Sequence, residues 1–184
     1  MNRTSNTEPD FESAQSLPEV LAERPVVGDG ANGARLYELG LDIARGSERW
    51  NLEQPDVIAR VHAEYVQAGA QLIETNTFAA NAVQLARHDL EDKVADINQA
   101  GVRLALQAAA GQAWVSGSVG PLGVSPDEDG YDETAARDAF REHVTLLADA
   151  GVQAIQLETF PTLEELLVAL DVARSVCAGR LPVI

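Results

Sequence analysis

Cysteine is nearly absent from this sequence: Cys177 stands alone in 184 residues. A disulfide framework is thereby excluded, and a reducing cytoplasm fits. Lysine is as scarce, with only Lys93 in a stretch of helical periodicity, which leaves Schiff-base chemistry one poorly placed candidate. Positive charge is in deficit overall. Lys+Arg number 13 against 29 Asp+Glu, a formal net charge of −16, so no basic patch exists to release counterions from nucleic acid or to hold an anionic membrane. No apolar run approaches the roughly 20 residues that span a bilayer, and the N-terminus lacks an apolar signal core, which places the protein in the cytoplasm. The three histidines, His62, His88 and His143, fall in or beside expected helices without HxxH or HExxH spacing. With one cysteine they do not supply the three or four converging ligands of a zinc site. No P-loop and no Ser/His/Asp arrangement occurs, and Gly-Asp-Gly-Ala-Asn-Gly at 28–33 departs from the GxGxxG dinucleotide spacing.

What the chain does contain is ordinary globular composition, 46% hydrophobic and 23% charged, in a strict alternation. Residues 1–24 read as a polar leader with a short helix near Leu17 to Leu21. An apolar strand at 25–30 runs into a glycine-rich turn, where Gly28, Gly30 and Gly33 suit positive φ or close approach to the backbone. A helix begins near Leu36, and 40–51 reads as loop. Pro55 opens a helix that carries Val57, Ile58, Val61, Tyr65 and Val66 and stops at Gly69. A second strand at Leu72-Ile73 follows, then a short helix capped by Asn81. A long helix spans about 91–110, with Gly111 ending it. Ala113 to Pro121 is a third strand, opening into a Gly/Pro loop that continues to Gly130. A helix over about 132–150, a strand at Ala154 to Leu157, and a helix opened by a Thr162-x-x-Glu165 capping box come next. Leu181 to Ile184 begins a fifth strand. Strand–helix alternation of this kind predicts a parallel α/β sheet, either doubly wound or a (β/α) barrel. The long loops and polar strand ends favour a (β/α)₈ TIM-barrel architecture, here an incomplete barrel with about five parallel strands over 25–184. An open edge in such a barrel predicts self-association.

Chemistry concentrates where these strands stop. Ala-Gly-Ala-Gln-Leu-Ile-Glu-Thr-Asn-Thr-Phe at 68–78 is nearly repeated by Ala-Gly-Val-Gln-Ala-Ile-Gln-Leu-Glu-Thr-Phe at 150–160, so both strands deliver carboxyl and hydroxyl groups to their carboxyl ends. In parallel α/β folds ligands bind there. Asp29, between glycines after the first strand, reads as a carboxylate in a nest of backbone N–H groups that anchors a small zwitterionic ligand; the plainer alternative is a turn aspartate bonded to its own backbone. Strand alternation forbids Glu74 and Thr75, or Glu158 and Thr159, from both pointing inward. Glu158 is read as inward, ahead of Glu74, and each carboxylate could equally serve a salt bridge. Thr75, Asn76 and Thr77 offer hydroxyl and amide groups on the same rim. Cys177 is read as a packing residue.

Six stretches in register resemble the homocysteine S-methyltransferase family: Val-Val-Gly-Asp-Gly-Ala-Asn-Gly at 26–33, Trp-Asn-Leu-Glu-Gln-Pro-Asp at 50–56, His-Ala-Glu-Tyr-Val-Gln-Ala-Gly-Ala at 62–70, Glu-Thr-Asn-Thr-Phe at 74–78, Gly-Ser-Val-Gly-Pro at 117–121 and Leu-Glu-Thr-Phe at 157–160. The resemblance covers 25–184. It implies a zinc-containing (β/α)₈ barrel that moves a methyl group onto the sulfur of homocysteine, the metal deprotonating the thiol. It further implies that Asp29, Gly30, Ala31 and Glu158 hold the amino-acid end of homocysteine, with Thr75, Asn76 and Thr77 lining the pocket. The family's zinc cysteines, in a Gly-x-Asn-Cys strand end and a Gly-Gly-Cys-Cys turn, have no counterpart here. The expectation is therefore an N-terminal portion that binds no catalytic zinc and does not turn over alone, with no catalytic residue assignable. The methyl donor is not specified. Two other readings stand beside it: a barrel lyase or isomerase with Glu158 as base, and a non-catalytic truncated module.

Overall fold

A computed structural model describes residues 16–124 and 131–184. Residues 1–15 of the expected leader and 125–130 of the Gly/Pro loop lie outside the described residues. The order of elements is α1 (Leu17–Glu23), α2 (Asn32–Glu38), α3 (Trp50–Glu53), α4 (Pro55–Gln67), β1 (Leu72–Glu74), α5 (Ala82–Ala86), α6 (Val94–Ala109), β2 (Trp114–Val119), α7 (Glu133–Ala150), β3 (Ala154–Leu157) and α8 (Leu163–Cys177), with 3-10 turns at Ile43–Arg45 and Glu91–Lys93. The three strands form one parallel sheet in the order β1-β2-β3. Leu72 pairs with Trp114 and Ser116 with Ala154 as register points.

Two of the five expected strands are reduced to single parallel bridges, Gly28 with Leu72 and Ile155 with Val183. Each of these segments contains a proline, Pro25 or Pro182, which cannot donate to a ladder. Their backbones are nevertheless bonded to the sheet, Asp29 N–H to the Leu72 carbonyl at 2.9 Å and Ile184 N–H to the Ile155 carbonyl at 2.9 Å. The extended segments thus run across the sheet in chain order. A doubly wound sheet reverses its order at a switch point, and no reversal occurs among the described residues.

The sheet has two unlike faces, as period-2 alternation requires. Ile73, Val115, Val119 and Ile155 are fully buried in the main core with Phe140, Val144 and Leu147 of α7 and Ala169, Val172 and Ala173 of α8. Gly117 is on this face too, since a Cβ there would meet Leu147 Cδ1 at 3.0 Å. The other face carries Glu74, Ser116, Ser118, Gln156 and, just past β3, Glu158. Helices pack side by side, α4 on α6, α6 on α7 and α7 on α8.

Local signals account for most helix ends. Asn81 Oδ1 accepts from Gln84 N–H at 2.9 Å to start α5, and Asp132 Oδ1 accepts from Thr134 N–H at 2.8 Å to start α7. Gly151, at φ 100°, closes α7. The Thr162-x-x-Glu165 box forms only by half. Thr162 Oγ1 accepts from Glu165 N–H at 3.3 Å, but the buried Glu165 carboxylate turns away to accept from Leu122 N–H at 2.8 Å. A tertiary need, fastening the loop after β2, outbids the local cap. Gly28, Gly30 and Gly33 do not take the positive φ that the glycine-rich turn suggested. Gly30 is needed for room: a Cβ would lie 2.9 Å from the Tyr65 ring. The α2 helix also begins four residues before the expected Leu36, held to α4 by Leu36 in a core with Ile58 and Val61 and by the two-point pairing of Arg35 with Glu64.

Candidate functional site

A cavity of about 540 Å³ opens at the carboxyl ends of the strands. Asp29, Gly30 and Ala31 reach it from the first extended segment, Glu74, Thr75 and Asn76 from the end of β1, Ser118 from β2 and Glu158 from the end of β3. Glu48 lines it as well, and among the described residues no lysine, arginine or histidine does. Six of the seven residues expected at the site therefore share one cavity. The seventh, Thr77, is completely buried and stands behind the wall.

The wall is a closed ring of hydrogen bonds. Thr77 Oγ1 donates to the Ser118 carbonyl at 2.8 Å, so the Thr75 hydroxyl, 2.6 Å away, donates to Thr77. Thr75 Oγ1 in turn accepts from Ser118 N–H at 3.1 Å. Every hydroxyl proton in the ring has one place to go. Asn76 is fixed separately: its amide donates to the Ser47 carbonyl and to Asn51 Oδ1, both at 2.9 Å. Asn51 Nδ2 donates back to the Asn76 carbonyl at 2.8 Å and to the Ile97 carbonyl at 3.1 Å. Thr75, Asn76 and Thr77 are thus spent on shaping the rim.

The carboxyl groups are the groups left facing inward. Asp29 Oδ2 accepts from the Glu74 backbone N–H at 3.0 Å and from Asn32 Nδ2 at 3.2 Å. Its strongest tie is thus to the backbone of the neighbouring strand end, with a weaker one to its own backbone N–H, the contact of the plainer alternative. Burial raises the Asp29 pKa above the usual carboxylate value despite those bonds. Ser118 Oγ donates to Glu158 Oε1 at 2.5 Å. Gln156 Nε2 donates to Glu74 Oε1, and Ser116 Oγ to Gln156 Oε1 at 3.3 Å. Burial, then the charges of Glu158 and Asp29 and a hydrogen bond with Glu158, push Glu74 up to about 8. Crowding by two carboxyl partners thus favours the protonated form of Glu74.

The histidines stay out of the cavity. His62 and His143 are buried in α4 and α7, His62 with both ring nitrogens unpartnered and His143 beside the Thr77 backbone carbonyl, and burial lowers each to about 4. Cys177 is buried at the end of α8. Among the described residues no three His, Cys, Asp or Glu side chains gather as a metal site.

A family model described as homocysteine S-methyltransferase matches residues 26–184. The chain belongs to the homocysteine S-methyltransferase family. Methionine synthases of Mycobacterium leprae and Mycobacterium tuberculosis are each 37% identical to it over 166 residues, spanning 84% of this chain and 14% of theirs. The solved homocysteine methyltransferase MmuM from Escherichia coli, in its metallated form, superposes with a TM-score of 0.72 at 27% identity, over 89% of this chain and 63% of that one. Its apo form gives 0.66 at 26% identity. The chain therefore spans a small part of the methionine synthases and under two thirds of MmuM. Within the homocysteine S-methyltransferase frame, two members of the rim carry more than the sequence suggested. Glu74, ranked behind Glu158, shares its face and cavity. Asn51, noticed only as part of a matching stretch, anchors Asn76; no local pattern announces an amide whose partners are 25 and 46 residues away.

Proposed function

We propose that residues 25–184 form the amino-acid-binding portion of a homocysteine S-methyltransferase of incomplete (β/α)₈ barrel form, which takes homocysteine to methionine. The observation that supports this most is the meeting of Asp29 and Glu158, from segments about 130 residues apart, on one cavity with no basic side chain among the described residues. Such a rim suits a ligand's ammonium group. Gly30 and Ala31 leave backbone beside Asp29 for the ligand's other end. In-order extended segments, with helices packed side by side, support the barrel. Zinc takes nitrogen and sulfur donors by preference, whereas the described side chains of this cavity offer carboxyl, hydroxyl and amide oxygens. These side chains do not fit zinc, and their work is to bind and orient. On this reading the chain alone neither holds catalytic zinc nor turns over; metal analysis and a homocysteine methylation assay check that, and stoichiometric zinc with turnover would overturn it.

Binding is tested directly by calorimetry with L-homocysteine. Asp29→Asn and Glu158→Gln should each weaken it by tenfold or more, the scale of one charge-assisted hydrogen bond of roughly 1.5–3 kcal/mol; unchanged affinity in both would sink the assignment. We place the protein in the cytoplasm, where the single buried thiol of Cys177 stays reduced. We also propose self-association: Leu163 and Leu167 stand exposed on one side of α8, and the outer extended segments each make one bridge. Size exclusion over rising concentration should show a dimer, and a monomer throughout would refute it.

A further inference from the structure

Among the described residues four acidic side chains line the cavity and each has a hydrogen-bond donor, but none has a cation. Glu48 Oε1 is committed to Ala79 N–H at 2.9 Å. Asp29 accepts from Glu74 N–H and Asn32, and Glu158 from Ser118. Glu74 is placed differently. Gln156 occupies its Oε1, which leaves Oε2 as the oxygen available to a proton. Its neighbours are Asp29 from the first segment, Glu158 and Gln156 from β3 and the turn after it, and Ser116 from β2, its register partner; none is basic. Like charges this close, partly removed from water, cannot all remain ionised, and one proton is the least relief.

Resting on the reading that this cavity takes the amino-acid end of its ligand, we propose that Glu74 is a specificity-determining residue working by proton exchange: the ligand's ammonium group enters as the Glu74 carboxyl releases its proton to solvent. Only the Glu74 O–H bond breaks. The proton goes to buffer, and the ammonium keeps its own three hydrogens and shares them among the carboxylate oxygens. The ammonium's positive charge takes the place of the departing proton's among the carboxyl groups, while the ligand's own carboxylate lies at its other end, against the backbone of Gly30 and Ala31. A neutral group in the same place displaces nothing and leaves the acid protonated. Selection for a charged amine is then built into the protonation of the empty site.

L-Methionine is the probe, because it has no thiol to contribute a proton of its own. Calorimetric titration of the whole chain at pH 7, in phosphate and in Tris, should give enthalpies that differ by the buffers' ionisation heats times about 0.9 proton released, the fraction of an acid with a pKa about 8 still protonated at that pH. Affinity should rise about tenfold per pH unit up to pH 8 and then level. In Glu74→Gln the enthalpy should be buffer-independent and the pH slope gone. A second readout needs no variant: the infrared C=O band of a protonated carboxyl in the free protein should vanish when methionine binds. Methionine binding with buffer-independent enthalpy, or with that band intact, overturns the proton exchange and leaves the amino-acid site standing. Failure of both methionine and homocysteine to bind overturns the two together.

Discussion

At the scale of single residues, Thr159 is the one under strain in the site. It follows Glu158 directly and sits at φ 59°, a left-handed conformation that a β-branched side chain enters at a cost of roughly 1–3 kcal/mol. The chain accepts this because it must leave the sheet at once, so that Glu158 stays on the cavity while Phe160 packs on Phe140 with ring centroids 6.0 Å apart. Thr159→Asn, with a side chain that tolerates this region, should raise stability by about 1 kcal/mol in urea unfolding and leave ligand affinity unchanged; a loss of stability would mean that Thr159 is relaxed as it stands. The inward direction of Glu158 was legible in sequence because Ala-Ile-Gln-Leu-Glu gives enough alternation to fix a phase, with Ile155 buried and Glu158 three residues on, and so on the opposite face. For Glu74 the strand has three residues. Its phase is set by pairing with Ser116 and by Gln156 of the next strand but one, which no local pattern displays.

At the scale of elements, two glycines in helices show how the same substitution changes sign with its surroundings. Ala is favoured over Gly in a helix interior by about 1 kcal/mol. Gly33 in α2 has nothing within 4 Å of an added Cβ, so Gly33→Ala should gain on the order of 0.5–1 kcal/mol. Gly101 in α6 would place its Cβ 2.7 Å from Asn51 Nδ2 and 2.8 Å from Thr77 Cγ2. Both side chains are buried and bonded, so Gly101→Ala must push Asn51 off the Asn76 and Ile97 carbonyls. Overpacking at about 1–3 kcal/mol and lost buried bonds of similar size outweigh the helical gain, and the variant should be less stable by about 2 kcal/mol or more. Thermal unfolding of the two variants side by side checks both signs. Helix extents were largely readable, since Pro55, Asn81, Asp132, Thr162 and Gly151 speak locally. The two outer strands were over-read: apolar content suggested ladders at 25–30 and 181–184, but a proline in each leaves one bridge. The Thr162 box was over-read for the opposite reason, because Glu165 is claimed by a loop distant in sequence.

At the scale of the whole molecule, buried titratable groups set a stability maximum near neutrality. His62 and His143 are lowered to about 4, so the unfolded chain binds more protons than the folded one below its own histidine pKa of about 6.5. Their contribution is complete above that pH and is lost as pH falls from about 6.5 through 4, up to roughly 3 kcal/mol each. Glu74 acts in the other direction. Raised to about 8, it lets the folded state bind more protons, so stability declines as pH rises from about 4.5 to 8. Urea unfolding across pH should trace a dome. Replacing both histidines by Leu should flatten its acid limb, and Glu74→Gln its alkaline limb. A curve flat between pH 4 and 6.5 in the parent chain would contradict the first. The ring through Ser118, Thr75 and Thr77 has a consequence of another kind. Hydroxyl protons with a single acceptor, sealed from water, trade places with solvent slowly. Those of Thr75 and Thr77 should therefore appear as discrete resonances in proton NMR spectra, a native clock at the cavity wall whose exchange rate reports each opening of the rim.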